Sequence, residues 1–504
     1  MITKDPATRA QVTSRIIEII AKTAPAEDKN LVLSFAPVIL SEAPDRILSI
    51  LPPEILAERL LRHYQFIVHA MPSSIQLFKG PPGIHVSVYT PNEQEAKAMG
   101  GGAGLPLETT VVRTHTLDAP FIFESLKNYF SKAGLRVFSA VHPIFAVRRQ
   151  WERIVWIGEP HEEGTKESYC YFQIEPVDSK ERLRRIEHEI FCVLKCVFLA
   201  VEDFQAMVSL TKEISRRLCA KTGSEPIESA RAFIEWLADE NYVFLGVARY
   251  SVGQDGRPHR IQDTVTGVFN DPELLPVVFP GLVEEVESHI VPRPDDYRIV
   301  GLDFSKNASA IYHLDPIDYI VLREWDATGK FTGASLLLGR FSRGTFVQRA
   351  DRIPILKEKI RSILQDSGAV ANSHVYRELI ATFNRMPMRE LFYAPPAALK
   401  AIIEPIAFML GDEEIIVHTR KGAGYMVLEI VFSRLRYSYG VEENIRRALA
   451  DAFGPVSFHT RADCGAVNLL LFYFDPDRLD RAIDEEAVHS IVAQLVTTWE
   501  DRVA

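Results

Sequence analysis

Residues 109–141 read TTVVRTHTLDAPFIFESLKNYFSKAGLRVFSAV. Thr109–Thr114 is rich in β-branched residues and predicts a strand, and residues 122–133 carry apolar side chains at helical spacing. Gly134 then marks the end of the helix. Leu135–Val141 alternates in the manner of a second, longer strand. A strand, a helix and a strand in about thirty residues indicate an α+β unit.

The elements that follow extend this unit. Strands are predicted at Trp151–Ile157 and Tyr169–Ile174, and Asp178 opens a helix. The order is therefore strand, helix, three strands and helix, which is close to the split βαβ pattern of a ferredoxin-like unit. Similar alternation of strand and helix periods returns after Ser224 and again after Glu414. We predict an α+β protein of tandem ferredoxin-like modules, with an N-terminal helical segment and helical connectors.

Two stretches between these elements predict irregular structure. Gly100–Gly104 reads as a flexible connector, because glycines cluster there. Residues 251–300 are rich in glycine and proline and read as loops. The last helix is predicted from about Arg478 to Trp499.

Composition and charge exclude several functional classes. The chain has 504 residues, of which 47% are hydrophobic, and its formal net charge is -10. This composition is typical of a globular protein of about three or four domains. An acidic chain without a basic block argues against a nucleic-acid partner. Five cysteines do not form a disulfide framework. No apolar run reaches the roughly 20 residues that cross a bilayer, so we expect a cytoplasmic protein without a membrane partner.

The motifs of common catalytic sites were sought, and none predicts catalytic, cofactor-binding or metal-binding residues. Gly100–Gly104 lacks the preceding strand and the following helix of a dinucleotide loop. Cys192 and Cys196 are four residues apart on an apolar helix, and buried structural thiols are the simpler interpretation. His142 lacks the spacing of a metal ligand, and Cys464 has no evident base.

The loop that contains Asp118 has two possible roles, as a binding site for an effector or as the cap of a helix. Asp118, Pro120 and Phe121 join the first strand of the unit to its helix, whose N–H groups point into the loop. Backbone donors and the helix dipole at such a turn can hold a carboxylate, so the loop is a candidate effector site. The alternative, which we favour, is that Asp118 only caps the helix.

Several stretches resemble the N-terminal region of the large bacterial NAD-specific glutamate dehydrogenases. None of them is catalytic, so the resemblance depends on their order and on its extent over nearly the whole chain. They are TLDAPFIFESL (116–126), AVHPIFAVRR (140–149), AVEDF (200–204), FIEWLADENYVFLG (233–246), LLLGRF (336–341), IPILKEKI (353–360), RELF (389–392) and TTWEDR (497–502).

The resemblance implies a division into an N-terminal helical segment and three ACT-like domains, the second with a helical extension. The expected boundaries are 1–82, 83–215, 224–395 and 400–504. In ACT domains that sense amino acids, glycine often follows the loop proline. Here Phe121 stands at that position, and an aromatic side chain would fill the usual effector pocket.

The resemblance also implies a function. The family converts L-glutamate and NAD to 2-oxoglutarate, ammonia and NADH, but its catalytic domain would follow the last residue of this chain. We therefore expect a regulatory and oligomerisation region that is inactive alone and binds no cofactor itself, with NAD serving the full enzyme. The expected partners are further copies of the chain, a glutamate dehydrogenase catalytic domain and an amino-acid effector. The alternatives are a freestanding ACT-type amino-acid sensor and an enzyme of a new type.

Overall fold

The computed structural model describes residues 6–69, 83–151, 153–218, 227–253, 255–293, 296, 298–308, 311, 316–326, 328–408, 414–422 and 424–496. The helices are α1 Pro6–Thr23, α2 Lys29–Glu42, α3 Asp45–Ile50, α4 Pro53–His69, α5 Glu93–Ala98, α6 Ile122–Lys132, α7 Lys180–Glu202, α8 Phe204–Arg217, α9 Ile227–Trp236, α10 Leu275–Val278, α11 Leu282–Glu287, α12 Pro354–Asp366, α13 His374–Phe383, α14 Met388–Tyr393, α15 Pro396–Phe408, α16 Tyr439–Phe453 and α17 Glu485–Val496. The strands are β1 His85–Tyr89, β2 Thr110–Leu117, β3 Val137–Val141, β4 Ile144–Gln150, β5 Arg153–Gly158, β6 Thr165–Ile174, β7 Tyr242–Val252, β8 Pro258–Gly267, β9 Val300–Ala308, β10 Pro316–Trp325, β11 Phe331–Phe341, β12 Ile415–Gly422, β13 Tyr425–Ser433, β14 Val456–Asp463 and β15 Val467–Phe474.

The chain forms two compact units, and the first comprises residues 1–204, 267–283 and 307–315. Its sheet has six strands in the order β1-β2-β6-β4-β5, and β3 pairs with the other end of β6. The pairs are antiparallel. Since successive residues of a strand point to opposite faces, the two faces of β6 meet different helices. Tyr171 packs into the core of the N-terminal helices, and Phe172 contacts Phe130 of α6 with ring centroids 4.8 Å apart.

The N-terminal helices share one hydrophobic core with this sheet. Phe35 of α2 meets Phe145 of β4 edge to face, with ring centroids 5.3 Å apart. Ile16, Leu60 and Val147 are buried in the same cluster. Burying apolar surface in this way stabilises both layers. The N-terminal helices therefore cover one face of the sheet.

The glycine-rich stretch Gly100–Gly104 is an ordered turn, and its prediction as a flexible connector is wrong. The Gly101 N–H donates to the carbonyl of Ala96 at 2.8 Å. A Cβ atom at Gly100 would lie 2.6 Å from a methyl carbon of Leu51, and the φ of Gly100 is 93°. Glycine is required there because the backbone lies against the N-terminal helices in a left-handed conformation.

The second unit comprises residues 205–266, 284–306 and 316–504. It holds a five-stranded sheet in the order β8-β7-β11-β10-β9 and a four-stranded sheet in the order β12-β13-β15-β14. The strand pairs of the four-stranded sheet are antiparallel. Helices α16 and α17 cover one face of that sheet, where Ile445, Leu449 and Val488 are fully buried.

Helix α14 links the two sheets of the second unit through adjacent charged residues. Arg389 Nη2 lies 3.6 Å from Asp318 Oδ1 on β10. The neighbouring Glu390 forms an ion pair with Arg420 on β12 and accepts a hydrogen bond from the hydroxyl of Tyr473 on β15. In the RELF stretch, Arg389 therefore contacts the five-stranded sheet and the oppositely charged Glu390 contacts the four-stranded sheet.

The mixture of helices with antiparallel sheets confirms the α+β prediction. The predicted strand at Tyr169–Ile174 and the helix ending at Gly134 are present. The loop prediction for residues 251–300 is wrong, because β8, α10 and α11 lie there. Pro258 occupies the first position of β8, where a missing N–H is tolerated. The last described helix begins at Glu485 rather than at Arg478.

Candidate functional site

The loop predicted as an effector site lies between β2 and α6. The Asp118 N–H donates to the carbonyl of Lys166 at 2.9 Å, which continues the pairing of β2 with β6. Helix α6 begins at Ile122, its N-cap is Phe121, and no side chain there accepts a capping hydrogen bond. Asp118 and Pro120 therefore precede the helix. The interpretation of Asp118 as the cap is wrong, because the chain makes a further turn before the helix starts.

Phe121 holds a backbone conformation that favours glycine, with a φ of 74°. A Cβ atom costs roughly 1–2 kcal/mol in this left-handed region. Phe121→Gly is therefore expected to be more stable to unfolding than Phe121→Ala by about 1 kcal/mol. Chemical denaturation of the two variants measures the difference.

Phe123 provides the matched control, because it lies inside α6. There alanine should be more stable than glycine by about 0.8–1 kcal/mol. The same order at both positions would contradict the strained conformation of Phe121.

A polar strip of buried side chains lies beneath this loop. His142 Nε2 lies 2.9 Å from the Ser168 hydroxyl, and the Phe123 ring stacks on the imidazole with centroids 4.8 Å apart. Burial lowers the pKa of His142 despite the nearby carboxylate of Asp118. Burial also raises the pKa of the Cys170 thiol to about 12. The strip therefore offers a neutral imidazole and hydroxyl groups to the loop, and the thiol is not activated as a nucleophile.

Cys192 and Cys196, the two cysteines predicted as structural, are both buried on α7, and burial raises the pKa of Cys192 to about 11. Cys464 in the second unit is also buried, which raises the pKa of its thiol to about 12. In the part of the chain that the structure describes, no three histidine, cysteine or carboxylate side chains cluster as metal ligands do. Nor does any described helix have an apolar stretch long enough to cross a bilayer.

A cavity in the second unit has a volume of about 1200 Å³. Its lining includes His289, Asp303, Arg323 and Lys359, whose side chains contact other protein groups. The Lys359 ammonium donates to three backbone carbonyls at the end of α14, at 2.7–2.9 Å. Arg323 pairs with Asp296 at 3.3 Å. Lys359 and Arg323 therefore form hydrogen bonds and an ion pair with other residues of the protein around this cavity.

Two carboxyl groups that line this cavity have shifted pKa values: that of Asp296 is lowered, with hydrogen bonds and charge from Arg298 and Arg323 outweighing burial, and that of Asp303 is raised. Burial raises the pKa of Asp303, and Glu285 adds to the rise, although the Phe304 N–H and His289 oppose it. Asp303 Oδ2 lies 3.8 Å from Nε2 of His289. Perturbed groups in a cleft are candidates for function, but no residue here has the geometry of an activated nucleophile.

The sequence interpretation missed a polar layer on the face of the first sheet that packs against the N-terminal helices. Its charged members include the buried Arg59 and Glu167 and the half-buried Arg113. Arg113 and His115 are two residues apart on β2, so the alternation of the strand places them on one face. That signal was present in the sequence, but spacing alone could not show which helix would lie opposite this face.

Two models of protein families match this chain, one in its N-terminal part and one further along. A family model described as "Glutamate dehydrogenase, ACT1 domain" matches residues 35–190. A second, described as "Glutamate dehydrogenase, helical motif 1", matches residues 353–410. Over these two stretches the chain is similar to glutamate dehydrogenases. The ACT1 match begins within α2, so it includes N-terminal helices that share a core with the sheet.

Two curated relatives carry the name NAD-specific glutamate dehydrogenase. The Pseudomonas aeruginosa protein is 23% identical in an alignment of 417 residues that covers 78% of this chain and 25% of the relative. The Halomonas elongata protein is 26% identical in an alignment of 298 residues that covers 55% of this chain and 18% of the relative. The matched part of this chain therefore spans about a quarter or less of the length of these relatives.

Proposed function

We propose that this chain is the N-terminal regulatory and assembly region of an NAD-dependent glutamate dehydrogenase. The observation that carries the proposal is the pair of family matches, an ACT1 domain and a helical motif, in the order expected of that region. In this proposal, the oxidation of L-glutamate with NAD belongs to a catalytic domain outside this chain. The chain itself acts in the cytoplasm as a scaffold.

The strand orders support a tandem arrangement of ACT-like modules. In the sheet of the first unit, β2 precedes α6 and lies beside β6, which precedes α7. In the four-stranded sheet, β13 precedes α16 and lies beside β15, which precedes α17. Strands that precede the two helices are adjacent in a split βαβ unit. We assign the modules to residues 83–215, 224–395 and 400–504, after a helical segment at 1–82.

The exposed edge of β5 supports the assembly role. Trp151, just before β5, is 90% exposed, and Val155 within it is 51% exposed. β5 is an edge strand of its sheet, so its unpaired backbone groups and these apolar side chains suit pairing with a second copy of the chain. We propose that copies associate through this edge.

Light scattering after size-exclusion chromatography tests the assembly role. The chain should elute as a dimer or larger species, and Trp151→Glu combined with Val155→Lys should shift it to the monomer mass. Tyr439→Glu is the control, because Tyr439 is 78% exposed but lies in the second unit. A monomeric parent chain, or a double variant of unchanged mass, would refute assembly through β5.

The regulatory role calls for an effector, which we propose to be an amino acid held near Asp118, Pro120 and Phe121. The polar strip beneath that loop supports this placement, whereas the Phe121 side chain argues against a ligand in contact with the loop backbone. Thermal unfolding in the presence of single L-amino acids tests the role, because a ligand that binds only the folded state raises the midpoint. No stabilisation by any amino acid would contradict an amino-acid effector.

A further inference from the structure

A second cavity lies in the first unit, between α4 and the β1–β2 edge of the sheet. Its volume is about 430 Å³, which is within the range of about 300–1,000 Å³ for small-molecule sites. Arg113 lies on the sheet face that packs against α4, whereas the Asp118 loop adjoins α6 on the opposite face. Its lining includes the charged residues Arg62, Glu95 and Arg113 and the rings of Phe66, His85 and Tyr89.

Arg113 is a cation without a counter-charge. Its guanidinium carbon lies 4.3 Å from the ring centroid of Phe66 and 4.8 Å from that of Tyr89. Its Nε is buried and has no hydrogen-bond partner. Among the described residues, no carboxylate lies within ion-pair distance of it. Arg149 on β4 differs, because its Nε and Nη2 contact Glu167 at 2.8 and 2.9 Å.

The groups around Arg113 do not neutralise it. Glu58 and Glu95 both pair with Arg62, at 3.0 Å and 3.8 Å, and neither forms an ion pair with Arg113. The pKa of His85 is lowered to about 4, mainly by burial and to a smaller extent by the nearby His115 and Arg113. The imidazole is therefore neutral near pH 7, and its buried Nδ1 has no partner.

A second guanidinium deeper in the same layer also lacks a carboxylate. Arg59 is only 3% exposed. Its Nη2 donates to the Ser139 hydroxyl at 3.1 Å, and its Nη1 has no partner among the described residues. Burial lowers the pKa of the nearby His63, and both Arg59 and Arg113 lower it further. The layer therefore has a positive potential. Burying guanidinium groups without ion pairs costs free energy, and a bound anion would offset that cost.

We propose that this cavity binds a small organic anion whose carboxylate contacts Arg113 and whose apolar or planar body packs against Phe66, His85 and Tyr89. A guanidinium presents a planar fork that matches a carboxylate. One guanidinium without an ion pair, beside a neutral imidazole, favours a ligand with a single negative charge. The Phe66 and His85 rings stack on one another, with centroids 4.8 Å apart and an interplanar angle of 12°, and both line the cavity, where they offer an apolar surface to the ligand body.

Calorimetric titration of the whole chain with benzoate, benzamide and inorganic phosphate tests the proposal. Benzoate should bind, while its neutral isostere benzamide should not. Arg113→Met should weaken benzoate binding by about thirtyfold or more, since truncating one partner of a buried charge pair has an effect of this size. A preference for phosphate over benzoate, or equal binding of benzamide, would overturn the carboxylate assignment.

The thermal midpoint of the ligand-free variants separates a binding role from a structural one. Arg113→Met should unfold at a higher temperature than the parent chain, because the variant loses an unbalanced half-buried charge. Arg148→Met is the matched control on the same sheet. Arg148 is 54% exposed, so neither benzoate binding nor the midpoint should change. A lowered midpoint for Arg113→Met with unchanged benzoate binding would show a structural role and refute the site.

Arg113→Lys guards against a failure of the methionine variant to fold. Lysine keeps the charge but lacks the planar fork, so benzoate binding should weaken while the chain stays folded. Unchanged benzoate affinity in Arg113→Lys would contradict the contact between its carboxylate and the guanidinium.

Discussion

Replacing Arg420 by methionine is expected to lower the free energy of unfolding by about 3–5 kcal/mol, the usual cost of removing one partner of a buried ion pair. Arg420 lies between two buried carboxylates, Glu390 and Glu429. Its Nε donates to Glu429 at 2.8 Å. Without it, the hydrogen bonds that the described residues give these two carboxylates are those of Tyr473 to Glu390 and of His418 with Glu429. Urea denaturation at pH 7 measures the loss.

The loss of unfolding free energy in Arg420→Met should be smaller at low pH, and it should be larger than the loss at an exposed ion pair. In Arg420→Met, the two buried carboxylates repel each other, and protonation of one of them at low pH removes the repulsion. The deficit in the free energy of unfolding should therefore be smaller at pH 5 than at pH 7. Arg434→Met is the control: Arg434 is 61% exposed and pairs with Asp463 at 3.3 Å, so about 1 kcal/mol or less is expected. Similar losses in the two variants would contradict the buried network.

Glu167→Gln is expected to cost about 1.5–3 kcal/mol at pH 7, as the loss of hydrogen bonds to a charged group does. Glu167 is fully buried and accepts from Arg149 at 2.8 and 2.9 Å, and its Oε2 lies 2.8 Å from His115 Nε2. Burial pushes the pKa of Glu167 up, but the hydrogen bonds from His115 and Arg149 outweigh it and lower the pKa below 4.5. Thermal unfolding of parent and variant at several pH values measures the effect.

The sign of the pH dependence follows from this lowered pKa. A carboxyl whose pKa is depressed in the folded state stabilises the fold above its unfolded value, and that stabilisation is lost as the pH falls through the folded value. The advantage of the parent chain over Glu167→Gln should therefore be complete at pH 7 and vanish well below pH 4.5. Glu163→Gln is the control, since Glu163 is 98% exposed. A difference independent of pH would contradict the charged state of Glu167.

Local patterns in the sequence predicted many of the elements. The helix ending at Gly134 and the strand Val467–Phe474 follow from residues that are neighbours in the chain. Each has a clear period of 3.6 or 2 residues. The α+β class follows from these elements, because their alternation limits how the layers can pack.

Features that depend on distant residues were missed. β8 contains polar and charged residues and begins with a proline, so its membership of a sheet depends on β7 beside it. Arg113 has an unusual environment only because Phe66 lies opposite it, 47 positions earlier in the numbering. The turn that precedes α6 was also missed, since only the positive φ of Phe121 reveals that Asp118 lies outside the helix.

The central claim is that this chain contributes regulation and assembly to glutamate oxidation while the hydride transfer occurs elsewhere. The most direct test incubates the purified chain with L-glutamate and NAD and follows NADH absorbance. We predict no formation of NADH above a blank without protein. A rate that requires L-glutamate and increases in proportion to the concentration of the chain would contradict the claim.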